Sequence, residues 1–443
     1  MADYANARPT KHFFFEMFTR DISLEDCVLD LIDNSLDSLI KVKAISLPVE
    51  VLKPFRDPID VASLPSVAIS CSDKEVRVRD NCGGIPFEFA KTDLFTFGHS
   101  AGFKAGQLGA YGVGLKRAIF KIGNKFEMKS FTNGTGFRAY LDNVKKWSTE
   151  DETLDQWQIP MEPAERRAHD IEHGTEIVIR DLHDSVKTRM KSGPFIDDLY
   201  RDVAQTYSLF LGRYARVTVN DRVVEPRAIP IGESEEVRPA KDEFEEHGVK
   251  VTLIVGFGSL PRTTEDAGWY LLCNGRVVVP ADKTDLTIWV SPTIFHDKYR
   301  GFLGLAFFDA EDPLALPWTT TKRAINRESL VFQSAVNRMR ILARPVLKTL
   351  SDFYPPGPLE RPQSKEIAES VKVIDVREVA AKPSTTFKVE PIWRELPPTV
   401  RVQYDALREH VERVKKHLRR PRMSATEVGK HTFDHFVRKE CPK

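Results

Sequence analysis

The sequence predicts an α+β protein, and three observations carry that prediction. A strongly amphipathic helical pattern fills residues 24–40, short alternating strands recur with two-residue turns between several of them, and a long helical pattern after the last strand runs toward Phe353. At 443 residues the chain has length for two or three domains and a large core. Its 65 Lys plus Arg against 64 Asp plus Glu leave a net charge of +1, so the protein as a whole is not an electrostatic nucleic-acid binder; such a role needs a local patch. The five cysteines (Cys27, Cys71, Cys82, Cys273 and Cys441) show neither paired nor metal-ligand spacing, which suits a reducing compartment. No signal peptide and no apolar run of bilayer length is legible, so a soluble, cytoplasmic protein without a membrane partner is expected.

The chain begins with an aromatic stretch, KHFFF at residues 11–15, which suits packing ahead of the first amphipathic helix. In that helix Leu24, Val28, Leu31, Ile32, Leu36, Leu39 and Ile40 recur at three- and four-residue steps, and Ser23 with Asp26 suits a capping box. The opposite face carries Asp26, Asp30, Asp33, Asn34 and Asp37, with Asp26, Asp30 and Asn34 stacked at i, i+4 and i+8. Like charges so spaced repel, so the face is either solvated or built to hold a cation. After a proline-punctuated connection at 48–65 come two short strands, 67–70 and 75–79, and then the loop DNCGGIP at 80–86. Residues 91–111 are rich in small residues, and GQLGAYGVGLK at 106–116 opens a helix through Ile122. The segments 126–131 and 136–141 flank Asn133-Gly134, a type I′ hairpin signal. A charged connection over 147–173 leads to Gly174-Thr175 and a strand at 176–180.

From residue 195 the pattern becomes a helix over 195–211, then hairpins turning at Asn220-Asp221 and Asn274-Gly275, then a strand at 302–308. Asn326 is placed to cap the long helix. Residues 355–384 read as a linker, and two helical patterns close the chain. The first, 400–418, ends in a basic cluster of Arg413, Lys415, Lys416, Arg419, Arg420 and Arg422; Ser424 with Glu427 caps the second.

The acidic-Asn helix, the Asp80 loop, the Gly-rich segment and the late Gly-Thr, in that order, resemble the GHKL superfamily of gyrase, MutL, histidine kinases, MORC proteins and the large heat-shock chaperone. The resemblance implies a Bergerat-type ATP-binding domain over 1–190 and a transducer-like α+β domain over 195–355; composition and pattern alone add a linker over 356–398 and a basic helical region over 399–443. It implies ATP and Mg²⁺ as cofactors, with Asn34 as the metal-side ligand and Asp30 polarising the attacking water at a position where Glu is commoner. Asp is one methylene shorter than Glu, so slow hydrolysis is expected.

By the same resemblance Asp80 accepts from the adenine amine, with Gly84, Ile85 and Thr175 beside it and Cys82 standing where the family has its first glycine. Asp37 on the acidic helix joins the cofactor-binding set, and Ser100, Gly109, Tyr111, Gly112, Val113, Gly114, Leu115 and Lys116 fall in the lid and the phosphate-facing helix start. Lys322, in LPWTTTKR at 316–323, matches the lysine that reaches back to the γ-phosphate. The closest likeness is to MORC- and MutL-like proteins: an ATP-driven switch that dimerises or closes, with DNA (repair, compaction or defence) or a protein partner as its object. A nucleotide-gated scaffold or chaperone-like protein with little turnover is the alternative.

Overall fold

The computed structural model describes residues 10–43, 51–54, 59–97, 107–109, 112–149, 157–166, 172–258, 264–291, 293–353, 370–389 and 402–441. Helix α1 (Lys11–Arg20) starts at Thr10, whose hydroxyl accepts the Phe13 amide. Its aromatic face packs inward, with Phe15 buried against Phe120 and Trp147. Helix α2 (Leu24–Lys43) follows, and Ser23 Oγ accepts the Asp26 amide at 3.0 Å at its start. Val28, Leu29, Ile32 and Leu36 on α2 are almost wholly inaccessible. Each large apolar side chain so buried contributes about 1.5–3 kcal/mol.

The first sheet has eight strands: β1 (Ser66–Cys71), β2 (Glu75–Asp80), β3 (Gly123–Thr132), β4 (Thr135–Leu141), β5 (Met161–Pro163), β6 (Gly174–Leu182), β7 (Arg216–Val219) and β8 (Arg222–Val223). They lie in the order β5-β4-β3-β6-β2-β1-β7-β8, antiparallel except where β7 runs parallel to β1. Alternation along β1 and β2 buries Val67, Ile69, Val76 and Val78 on one face. That face shares a core with α2, α3 (Gly114–Ile122) and α4 (Phe195–Thr206). The hairpin at 216–223 thus belongs to the first sheet although it lies past residue 195, because Asn220 exchanges hydrogen bonds with the Cys71 backbone. Helix α4 ends at Thr206 rather than continuing to Leu211, and tight turns carry the chain through residues 207–210.

The second sheet is built from β9 (Pro230–Glu233), β11 (Ala240–Glu246), β12 (Val249–Phe257), β13 (Gly268–Cys273), β14 (Arg276–Asp282), β15 (Phe302–Ala310) and β16 (Lys372–Asp375), while β10 (Val237–Arg238) pairs with β17 (Lys388–Val389). Its middle strands are buried on both faces. Along β15, Phe302, Ala306 and Phe308 join a core under α5 (Leu330–Phe353), whereas Leu303, Leu305 and Phe307 join the core of the first sheet. A strand needs cover on both sides to carry an uninterrupted apolar run, and here one layer supplies each side. This sharing brings the start of β14 against α2. Asn326 caps a turn through the Glu328 amide, and α5 itself begins four residues later.

All three predicted two-residue hairpin turns are present with both central residues at positive φ: Asn133-Gly134, Asn220-Asp221 and Asn274-Gly275. Within the expected linker, residues 370–389 are structured. They add β16 to β9 and bury Arg377, which donates to the Val51 and Leu209 carbonyls at 2.7 Å each. Residues 1–392 form one compact unit and 393–443 another. The second unit contains α6 (Arg408–His417) and α7 (Ala425–Glu440), and Ser424 and Glu427 make the expected capping box. No helix among the described residues is long and apolar enough to cross a membrane.

Candidate functional site

Helix α2 runs the length of the site and presents a different group at each turn. Toward its C-terminal half, Ser35 donates to Asp80 Oδ2 at 2.8 Å, and Ser38 donates to the Gly84 carbonyl at 3.3 Å. Asp80 closes β2 opposite Thr175 on β6, and Thr175 Oγ1 lies 2.9 Å from Ser130 Oγ. Ser130 also accepts the Ile85 amide at 2.8 Å. Burial pushes the Asp80 carboxyl above its usual range, against the Cys82 amide, the Ser35 hydroxyl and the Thr175 amide. Gly84 sits at φ +72°, and a Cβ there would run into the Phe131 carbonyl, so only glycine fits this approach of loop to strand. Cys82 is buried with its amide on Asp80 Oδ1 at 2.9 Å, so the loop accommodates a side chain there.

About 3 Å and 7.5 Å before Ser35 along the helix axis the same α2 carries Asp33 and Asp30, both buried. Lys322 Nζ lies 2.6 Å from Asp33 Oδ2 and 3.4 Å from Asp30 Oδ1. Asp33 Oδ1 accepts from Arg276 Nε at 3.1 Å and from the Tyr207 hydroxyl at 2.7 Å. Arg117 on α3 stands 3.4 Å from Asp30 Oδ2 and donates to the Thr320 carbonyl at 2.8 Å. On the acidic face of α2, Asp30 and Asp33 are buried against cations, Asp26 is part-buried and paired with Arg323, Asp37 is buried, and Asn34 is exposed.

Burial would raise the Asp33 carboxyl, but Arg276 and Lys322 hold it below its ordinary value. Burial outweighs the same cations at Asp30 and raises it, in the direction that suits a base able to take a proton. Among the described residues Asp30 Oδ2 has no hydrogen-bond partner, a buried acceptor free to take one.

The Gly-rich segment enters the site through Asp37, which accepts the Leu108 and Gly109 amides at 2.7 Å each. Burial lifts Asp37 to about 6, partly offset by the Leu108 amide. Gly112 at φ +60° and Val113 turn the chain into α3, whose first residue Gly114 lies close over α2; a Cβ there would stand 2.8 Å from Asp30 Cβ. Leu115 is buried in the core. Lys116 points its ammonium at the carbonyls of Thr96, 2.8 Å away, and Gly112, and burial pulls it down to about 8. Ser100 and Tyr111, with Gly98 and His99, lie outside the described residues.

Asn34 offers an exposed carboxamide oxygen of the kind Mg²⁺ accepts beside water and phosphate, while Asp30 and Asp33 on the same helix face Lys322 and Arg276, and among the described residues no group of three His, Cys, Asp or Glu is placed to hold a metal. Sequence reasoning did not assign Asp33, Arg276, Tyr207, Arg117, Ser35 or Ser130 to the site. Asp33 carried a signal, as part of the acidic face. The others did not, because each meets α2 only through tertiary packing; Arg276 follows a hairpin turn that reads as a surface feature.

Residues 22–175, which contain α2, the Asp80 loop, α3 and Thr175, match the family described as histidine kinase-, DNA gyrase B- and HSP90-like ATPases. A comparison with curated proteins gives no significant match. With the acidic helix, the Asp80–Thr175 strand pair and the glycine-led α3 along one helix, residues 22–175 of this chain form an ATPase domain of the GHKL superfamily.

Proposed function

We propose that the chain is a Mg²⁺-dependent ATP-hydrolysing switch in which the second sheet reports on the terminal phosphate. The observation that carries this reading is Lys322. It comes from a loop outside the matched domain and lies against the two α2 carboxylates nearest the phosphate-facing start of α3. A cation brought from another layer loses a partner when the terminal phosphate leaves, so its position depends on the nucleotide state. The adenine end is Asp80, with Thr175, Ile85 and Gly84 around it, and Asn34 supplies the protein oxygen for the metal. When bound, the metal neutralises phosphate charge. Asp30 orients and deprotonates the water, and its raised carboxyl supports that role despite the shorter side chain. The second sheet, within the expected 195–355 region, acts as a transducer, as in MORC- and MutL-like proteins, and ATP drives closure or homodimerisation.

DNA is the object we favour for this switch, through the basic C-terminal unit. Arg413, Lys416, Arg419, Arg420 and Arg422 are exposed there within ten residues, a surface suited to a phosphate backbone. Gel-shift binding with and without ATP at two salt concentrations tests this part, and binding insensitive to salt in both states removes it.

The central experiment is nucleotide binding and turnover by the wild-type chain beside Asn34→Ala and Asp30→Asn, with and without Mg²⁺. Metal-dependent turnover is expected in the wild type, with loss of metal dependence in Asn34→Ala. Asp30→Asn should still bind ATP while its single-turnover rate falls by about 10²–10⁴. Binding without turnover in the wild type would make the protein a nucleotide-gated scaffold instead.

A further inference from the structure

The hairpin turn at residues 274–276 has a sequence that usually faces water, yet Asn274 and Arg276 are 0% and 1% exposed. Its backbone is the type I′ turn that Asn-Gly favours, with φ +46° and +78°. The turn is packed without slack: a Cβ on Gly275 would stand 2.9 Å from Val51 Cγ1 and 3.3 Å from the Phe210 ring.

From this buried position the turn holds two other segments. The Asn274 carboxamide donates from Nδ2 to the Gln107 carbonyl at 3.2 Å. It is itself fixed to the end of β15, where Nδ2 donates to the Ala310 carbonyl at 3.2 Å and Oδ1 accepts the Ala310 amide at 3.0 Å. The next two amides after Gln107 go to Asp37 on α2. Residues 107–109 are therefore gripped from two sides just before the turn at 112–114. Two residues beyond Asn274, Arg276 donates from Nη1 to the Lys322 carbonyl at 2.6 Å and from Nε to Asp33 at 3.1 Å. Lys322 adopts φ +55°, a left-handed conformation costly for a residue with a Cβ, so its loop needs such a hold.

We infer that the 274–276 turn is the positioning joint of the site, fixing the 107–109 segment, just before the Gly112–Gly114 turn into α3, and the Lys322 loop to one rigid hairpin so that the start of α3 and Lys322 meet a terminal phosphate together. The inference rests on the nucleotide reading above. It predicts a coupling, whereas a turn that merely completes the core would affect every ligand alike. Asn274 and Arg276 act here through other residues and touch no reacting atom.

The test measures the affinity of the full chain for ADP and for a non-hydrolysable ATP analogue, with Mg²⁺. It compares wild type, Asn274→Gly, Arg276→Lys, Lys322→Met and the double variant Asn274→Gly/Lys322→Met. Asn274→Gly keeps the left-handed backbone and removes only the carboxamide. Arg276→Lys keeps the charge that Asp33 needs but cannot serve Asp33 and the Lys322 carbonyl together, which gives a second reading should either variant fold poorly.

Each single turn variant is expected to lose about tenfold for the triphosphate analogue and less than about twofold for ADP, in the range of coupling within one hydrogen-bonded network. In the Lys322→Met background Asn274→Gly should then cost less than about threefold. Equal losses for both nucleotides, or a full tenfold loss in the double variant, would overturn the inference while leaving the nucleotide reading standing. A wild-type chain that binds neither nucleotide would remove both.

Discussion

Asp33 shows what one residue does when its surroundings are complete: a carboxylate with no solvent exposure accepts from Lys322, Arg276 and Tyr207 at once. A buried ion cluster of this kind is a weak source of net stability, but removing one member leaves opposite charges uncompensated. Asp33→Asn is therefore expected to cost about 3–5 kcal/mol of unfolding free energy, read by urea denaturation. Lys116 gives a pH signature at the same scale. Its folded value of about 8 lies below the ordinary 10.5, so between those values the unfolded chain binds more protons than the folded one. The contribution of Lys116 to stability therefore rises as pH climbs from about 8 to 10.5. Melting curves across that window should show this rise in the wild type and not in Lys116→Met, and parallel curves for the two would refute it.

Helix α2 acts as a ruler. Its apolar face is sealed in the core, so neither its rotation nor its height can drift, and Ser38, Ser35, Asn34, Asp33 and Asp30 are set at fixed places along one axis. Two glycines let other elements reach it or its neighbours. Gly114→Ala places a methyl against Asp30 and should push α3 off α2, costing about 1–3 kcal/mol and weakening triphosphate binding more than ADP binding. Gly84→Ala forces both a carbonyl clash and an unfavourable φ at the Asp80 loop, so under the proposed adenine role of that loop it should abolish ADP and ATP binding together in a calorimetric titration. Equal loss of ADP and ATP binding in Gly114→Ala would show that α3 does not face the terminal phosphate.

For the whole molecule, the decisive feature is that the second sheet contributes alternate residues of β13 and β15 to both cores. Lys322 and Arg276 reach α2 because the layers that carry them share apolar contacts with it. The segment at 370–389 closes this assembly by pairing β16 with the edge of β9 and inserting Arg377 between the Val51 and Leu209 carbonyls. A chain ending after Phe353 would uncover the β9 edge and leave those buried acceptors without a donor. Such a truncation should unfold at lower urea than the full chain and aggregate more readily on heating; an unchanged midpoint would mean that the segment is only an attachment.

The sequence by itself determined what depends on near neighbours along the chain. The α2 pattern follows from side chains three and four residues apart, the three hairpin turns from residues that tolerate positive φ, and the Ser424 cap from a four-residue motif. The order of the motifs was enough to anticipate the ATPase domain. It left open whether the acidic face of α2 was solvated or built to hold a cation, because a helical wheel shows which residues share a face and not what covers it. Tertiary structure covered Asp30 and Asp33 of that face with protein cations: Arg276 and Lys322 lie 243 and 289 residues from Asp33 along the chain, and they meet it only because two sheets share cores. The structured segment inside the expected linker has the same cause, since the free edge of β9 and the carbonyls awaiting Arg377 exist only once the second sheet has formed.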